Sequence, residues 1–230
     1  GLVGSEMCIR DRDGERRPAV CDACSSRRFR RAKLGVSGVA EELELLTRRP
    51  VTEITADDEI DSVDTDLTVG TEAVLHRISA ADAVAFLDFD QELLAPRYRA
   101  AEEAMALLVR ASRIVGGRAN SGRVIVQTRI PDHPVLRAAV NGDPGSLART
   151  ELDIRRQLRQ PPEMNWAIVS GSAAEEFVQK IVVADGLEIM GPYEGRWRIR
   201  SASRELLVEH LKAVKRPNGR LRIEINPLRA

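Results

Sequence analysis

The run Asn165-Trp166-Ala167-Ile168-Val169-Ser170 and the run Arg196-Trp197-Arg198-Ile199-Arg200-Ser201 decide the fold of the last part of the chain. Both are short, bounded by turn residues and rich in strand-forming side chains. Between them the pattern predicts a helix over 173–184 and a strand over 187–190. After them it predicts a helix over 203–214 and a strand over 220–225. Ser203, with Glu205 close behind it, reads as a helix start, and Pro217-Asn218-Gly219 reads as a stop and turn. The resulting β-α-β-β-α-β order is the split βαβ, ferredoxin-like arrangement. Many functions are built on it, so the order alone names none.

Moving upstream, Gln160-Pro161-Pro162 breaks the pattern and marks a domain boundary. Before it, helical periodicity covers 36–46, 96–115, 134–140 and 147–158. The long helix carries Ala100, Ala104, Leu107, Leu108 and Ala111 on one stripe. Apolar runs of strand length lie at 51–54, 83–87 and 124–127. Strands alternating with helices predict an α/β layer with a largely parallel sheet.

The chain has 230 residues, of which 43% are hydrophobic and only 3% aromatic, so its core must rely on Leu, Val, Ile and Ala. No apolar run approaches the roughly 20 residues of a membrane span, and a membrane protein is not expected. Lys+Arg and Asp+Glu balance at 35 each, but they are segregated. Residues 10–33 hold nine basic and four acidic side chains, whereas 41–66 hold ten acidic ones against Arg48 and Arg49. Six basic residues face Asp132 alone over 110–137, and nine face Glu205 and Glu209 over 196–222. A surface that meets phosphates has such a distribution, and so does a set of solvated Arg-rich helix faces.

Four local features invite chemistry. Cys21-Asp22-Ala23-Cys24 has the spacing of half a zinc site, or is two free thiols; four ligands are needed, and the other thiol is Cys8. Asp88 and Asp90, two apart after an apolar strand, can ligate Mg²⁺ or simply be solvated at a strand end. His133, between Asp132 and Pro134, is read as a capping or packing residue without chemistry. Arg196, Arg198 and Arg200 share one strand face, with Trp197 on the other. The arginines are candidates for phosphate contact, and Trp197 is assigned to the core in preference to base stacking.

Several motifs, in order, resemble the PriA-type replication-restart helicases of superfamily 2. Cys21-x-x-Cys24-Ser25-Ser26-x-Arg28-x-Arg30-Arg31, a glycine, then Val39-Ala40-Glu41-Glu42-Leu43, is similar to the last zinc-binding cysteine pair of that family and the helix after it. Val69-Gly70-Thr71-Glu72 stands at motif V, with His76 and Arg77 where Lys and Gly are usual. Residues 85–90 and 96–102 resemble the LLDAD and PDFRAxE stretches, with Arg97 in place of an acid. Motif VI, QVAGRAGR in active members, corresponds to residues 110–118; its Gln is absent and its arginine spacing is not kept. Gly122–Thr128, Pro131-Asp132-His133-Pro134 and Arg155-Arg156-x-Leu158-x-x-Pro161-Pro162 follow the family closely. Met190-Gly191-Pro192, Gly195-Arg196-Trp197-Arg198-Ile199 and Glu224-Ile225-Asn226-Pro227 resemble its closing segments. The likeness covers roughly 19–227.

The resemblance implies a RecA-like helicase lobe 2 over 35–160 and a PriA-type C-terminal domain over 161–230, preceded at 13–34 by the remnant of a zinc-binding region. GLVGSEMCIRDR, residues 1–12, resembles translated sequencing-adapter read-through and is set aside from the fold, so the chain is expected to begin in mid-gene. Cys21 and Cys24 would hold zinc only together with a further pair upstream. ATP and Mg²⁺, which the family uses, are in doubt because motifs V and VI are altered and no Walker A sequence is present. The implied partners are branched or single-stranded DNA, the single-strand-binding protein and other primosome proteins, in the bacterial cytoplasm at the nucleoid. Arg113, Arg118 and Arg123 in the lobe, and Arg196, Arg198 and Arg200 in the terminal domain, are the candidate DNA contacts. Three functions compete: a DNA-binding primosome component without helicase activity, part of an active ATP-dependent 3′→5′ helicase with Arg113 or Arg118 in the motif VI role, and a docking module for single-strand-binding protein.

Overall fold

The computed structural model describes the backbone of residues 8–10 and 16–18, and residues 35–55, 65–117 and 121–228 in full. Contacts divide the chain into two compact units, Gly1–Val74 and Leu75–Ala230. In the first, β1 (Cys8–Arg10) and β2 (Arg16–Pro18) pair antiparallel. Helix α1 (Val36–Thr47) ends where Arg48 turns left-handed and its N–H bonds the Glu44 carbonyl. β3 (Val51–Ile54) and β4 (Leu67–Gly70) then pair in parallel, with Val51 opposite Leu67. Gly70 is required there, because a Cβ would run into the Ile54 carbonyl and the Val74 side chain.

Helix α2 (Val74–Arg77) spans the boundary between the units. The second unit continues with β5 (Ala83–Phe86), α3 (Asp90–Leu93), α4 (Ala100–Ile114), β6 (Arg123–Val126), α5 (Pro134–Asn141) and α6 (Pro144–Gln157). β5 and β6 are parallel, as the alternation of strands and helices predicts. The expected stripe of α4 is the buried one: Ala104, Leu108 and Ala111 are sealed, and they pack with Phe89, Leu93, Val135, Leu136 and Leu147 or with Leu75 and Ile114. α4 starts at Ala100 rather than at Pro96. The Tyr98 carbonyl accepts from the Arg155 guanidinium at 3.2 Å, while Arg97 bridges Glu92 and Glu103 at 3.0 and 3.2 Å, so this segment is fixed as a turn.

After Pro161-Pro162 come β7 (Asn165–Ser170), α7 (Ala174–Gln179), β8 (Leu187–Tyr193), β9 (Arg196–Ser201), α8 (Arg204–Ala213) and β10 (Arg222–Ile225). The four strands form one antiparallel sheet in the order β10-β7-β9-β8. β9 has the predicted bounds, and Ser203 caps α8 by accepting from the Leu206 N–H. α7 is shorter than expected: beyond it Val182 and Val183 are 76% and 68% exposed, so nothing holds the chain in a further turn. One sheet face buries Ala167, Val169, Leu187 and Ile199 against Phe177, Val178, Leu207 and Leu211, with Trp197 packed on that cluster. The other face, without either helix, carries the arginines.

Candidate nucleic-acid interface

The strand pairings make the helix-free face a grid of three rows. Glu188, Arg200 and Trp166 lie side by side in the first; Met190, Arg198, Ile168 and Glu224 in the second; Tyr193, beyond a register shift in β8, with Arg196, Ser170 and Arg222 in the third. The predicted trio of Arg196, Arg198 and Arg200 does share a face, with Trp197 opposite.

The three arginines differ in circumstance. Arg200 is bound to Glu188 at 2.6 Å, and Arg159 reaches the same carboxylate at 2.6 Å. The Arg200 hydrogen bond, with the one from Arg159, holds the Glu188 carboxyl below its ordinary 4.5, so the row is neutralised by its own acid. Arg198 lies with its guanidinium carbon 4.3 Å from the ring centre of Trp166, a cation–π contact. Its Nε is buried and unpaired. Arg196 is exposed at the open end of the face. An open notch of about 500 Å³ sits there, lined by Ile168, Ser170, Arg196, Arg222, Glu224 and Pro227 among others. Arg222 is 66% exposed and pairs with Glu224 at 2.9 Å.

The other end of the face is closed. Trp166 is 3% exposed; its ring lies 5.3 Å from that of Tyr98, and its Nε1 donates to the Arg159 carbonyl at 3.3 Å. Tyr98 in turn donates to the Pro227 carbonyl at 2.9 Å. Arg155, 6% exposed, ties the helices to this corner through Glu102 at 2.9 Å and the carbonyls of Tyr98 and Pro161.

In the segment that resembles motif VI, Arg110 gives its Nε to the Leu75 carbonyl at 2.5 Å, and Ala111, Ile114 and Val115 are buried. Arg113 is exposed on the last turn of α4, and Arg123 is exposed at the start of β6. The Arg123 N–H bonds the Asp82 carbonyl, which puts it at the N-terminal end of the parallel pair. Arg118, Cys21 and Cys24 lie outside the described residues.

At the opposite end of that pair, Asp90 accepts from the Thr128 hydroxyl and the Arg129 N–H. Those bonds pull its pKa below 3.8 and join the ends of β5 and β6. Asp88, at φ 62°, accepts from the Gln91 amide at 3.0 Å. Among the described residues no three His, Cys, Asp or Glu side chains are grouped to hold a metal ion. His133 is the cap of α5, accepting from the Val135 N–H through Nδ1 at 3.3 Å. Burial lowers its pKa below 6.5, against the pull of Asp90. The folded chain therefore favours the neutral ring, and this contribution is present above pH 6.5 and lost as pH falls towards the folded value. Urea unfolding at pH 7.5 and 5.5 should show lower stability at the acid value. His133→Asn, which keeps a capping side chain and removes the titration, should flatten that difference.

Sequence reading singled out neither Ser170 nor Arg222 as a site residue, and it did not find that Trp166 underlies the arginines. Nothing in the β7 pattern marks a face, because four consecutive residues from Trp166 to Val169 are buried.

No protein-family model matches the chain. Curated relatives do. The replication restart protein PriA of Haemophilus influenzae is 23% identical over 221 residues, taking in 84% of this chain and 30% of that protein. The probable replication restart protein PriA of Mycobacterium leprae is 29% identical over 180 residues, 76% of this chain and 28% of its own length. That of Synechocystis is 29% identical over 163 residues, 64% and 20%. The chain thus spans less than a third of the length of these relatives. No helix among the described residues is long and apolar enough to cross a membrane.

Proposed function

The chain is a divergent relative of the PriA replication restart proteins, and on that footing we propose that it is a DNA-binding component of the replication-restart primosome. It would recognise stalled or branched forks and help reload the replicative helicase, without helicase activity of its own. The observation that carries this reading is the helix-free sheet face, whose open end presents Arg196 and Arg222 while its closed end is packed. Phosphate contact is favoured by exposed cations on rigid elements, and β9 and β10, each paired to β7, supply them.

In this reading residues 35–160 are a RecA-like lobe 2 and 161–230 a ferredoxin-like C-terminal domain. The strand order β10-β7-β9-β8 with its two intervening helices supports the second assignment. Arg113, Arg118 and Arg123 would contact DNA from the lobe, and Arg196 and Arg198 from the terminal sheet. Arg200, also a proposed contact, is held by Glu188 at 2.6 Å and would reach DNA on leaving that carboxylate. Cys21 and Cys24 would give half of a zinc shell. Loss of ATPase activity is supported by the altered motif VI stretch, in which Arg110 is committed to a backbone carbonyl. Single-strand-binding protein and other primosome proteins are the proposed protein partners.

Fluorescence anisotropy of the full chain on a labelled fork and on plain duplex, across a salt series, tests the proposal. Tighter binding to the fork, weakening with a log–log slope of roughly −0.7 to −0.9 for each phosphate engaged, is the expected result. No retention at low salt would remove the DNA assignment and favour a protein-docking role. DNA-stimulated ATP hydrolysis would favour the helicase reading instead.

A further inference from the structure

The DNA reading leaves open what the open end of the sheet holds. Arg196 of β9 and Arg222 of β10 both lie opposite Ser170 of β7, one on each side, and all three side chains line the same notch. Two strand spacings separate the arginines, roughly 10 Å between backbones, so two long guanidinium side chains can meet above the serine hydroxyl. Ile168 and Pro227 form an apolar floor. Glu224 stands in the adjacent row and holds Arg222 at 2.9 Å.

We infer that Arg196, Ser170 and Arg222 form a single anion notch that clamps one backbone phosphate of the bound DNA. This rests on the proposed function and adds to it the ligand group and two residues, Ser170 and Arg222. Two forked cations and a hydroxyl donor match the oxygens of a phosphodiester. Of the aromatics on this face, Trp166 is buried under Arg198, whereas Tyr193, opposite Arg196, is 76% exposed. A phosphate held here would be bound without regard to sequence. Glu224 acts as the resident counter-ion that the phosphate displaces.

The test is the salt series on a forked DNA with Arg196→Gln, Arg222→Gln and the double variant. Each single change should weaken binding about tenfold and leave the salt slope nearly unchanged, because the remaining arginine still neutralises the shared phosphate. The double change should make the slope shallower by roughly one, because the shared phosphate is then left without a cation. Glu224→Gln should tighten binding about two- to threefold by freeing Arg222. Both arginines are exposed, and an unchanged melting temperature shows that the fold is intact. A slope shallower by about one in each single variant and by about two in the double variant would assign the arginines to separate phosphates and overturn the shared notch. Unchanged binding in all variants would overturn the notch while leaving the DNA reading in place. If the wild-type chain binds no fork, the DNA reading fails, and inorganic phosphate becomes the probe, followed through the arginine Nε–H NMR signals. Shifts confined to Arg196 and Arg222 would then keep an anion notch; their absence, or displacement of phosphate by an acidic peptide that binds tighter, would end the phosphate assignment.

Discussion

Trp166→Ala should destabilise the unit Leu75–Ala230 by about 3–5 kcal/mol, the range for removing a sealed large aromatic. The indole is 3% exposed and is held on three sides: by the Tyr98 ring, by the Arg198 guanidinium and by the Arg159 carbonyl that its N–H reaches. Small neighbours cannot fill the space, because Ala167 and Ile168 beside it are fixed by the β-ladder. Truncation also removes the surface on which Arg198 lies, leaving that cation poorly packed. Unfolding in urea should show the loss, and limited proteolysis should show earlier cleavage around Arg159. Trp166→Phe should recover most of the packing and lose only the indole hydrogen bond, about 1 kcal/mol. A loss under 1 kcal/mol for the alanine variant would mean that the closed corner is not packed as described.

Arg155→Met should cost about 2–4 kcal/mol although its volume is nearly kept. The guanidinium reaches the Glu102 carboxylate and the carbonyls of Tyr98 and Pro161, and it sits 5.3 Å from the Tyr98 ring centre. The side chain is 7% exposed and Glu102 37%, so the carboxylate can recover part of its hydration when its partner is lost. The carbonyls recover less. Arg155→Lys should also destabilise, since one ammonium cannot reproduce a planar fork with several donors. A double-mutant cycle with Glu102→Gln, read by urea unfolding, should give a coupling of roughly 1–2 kcal/mol. Additive losses would show that Arg155 acts through packing and its carbonyl bonds alone.

Much of the terminal sheet was legible in the sequence because its signals agree. In β9 apolar Trp197 and Ile199 alternate with arginines, so strand, bounds and faces follow together. Ser203 announced α8 because a hydroxyl before an apolar-periodic run has one good use, accepting an orphan N–H. β4 and α3 escaped notice. β4 is four residues of intermediate burial beside an acidic run, and α3 is one turn that buries Leu93. The division of labour among the arginines was invisible for a deeper reason: it depends on register. Glu188 neutralises Arg200, and Arg222 joins Arg196 across Ser170, only because those residues are opposite one another between strands. Periodicity within a strand carries no such information.

The family likeness was legible for a related reason. Its motifs include structural pegs, and the structure shows what several of them do. Thr128 bonds Asp90, His133 caps α5, Arg155 locks the corner, and Asn226 closes the sheet by bonding the Trp166 backbone. These are packing and capping roles, which a chain keeps whether or not it hydrolyses a nucleotide.

Crosslinking of a photoreactive forked DNA to the full chain, followed by mass spectrometric mapping of the attached peptides, tests the central claim most directly. The account predicts attachment within 165–170, 196–201 and 222–228, competed away by salt. Attachment confined to other segments, or none under conditions that preserve the fold, would contradict it.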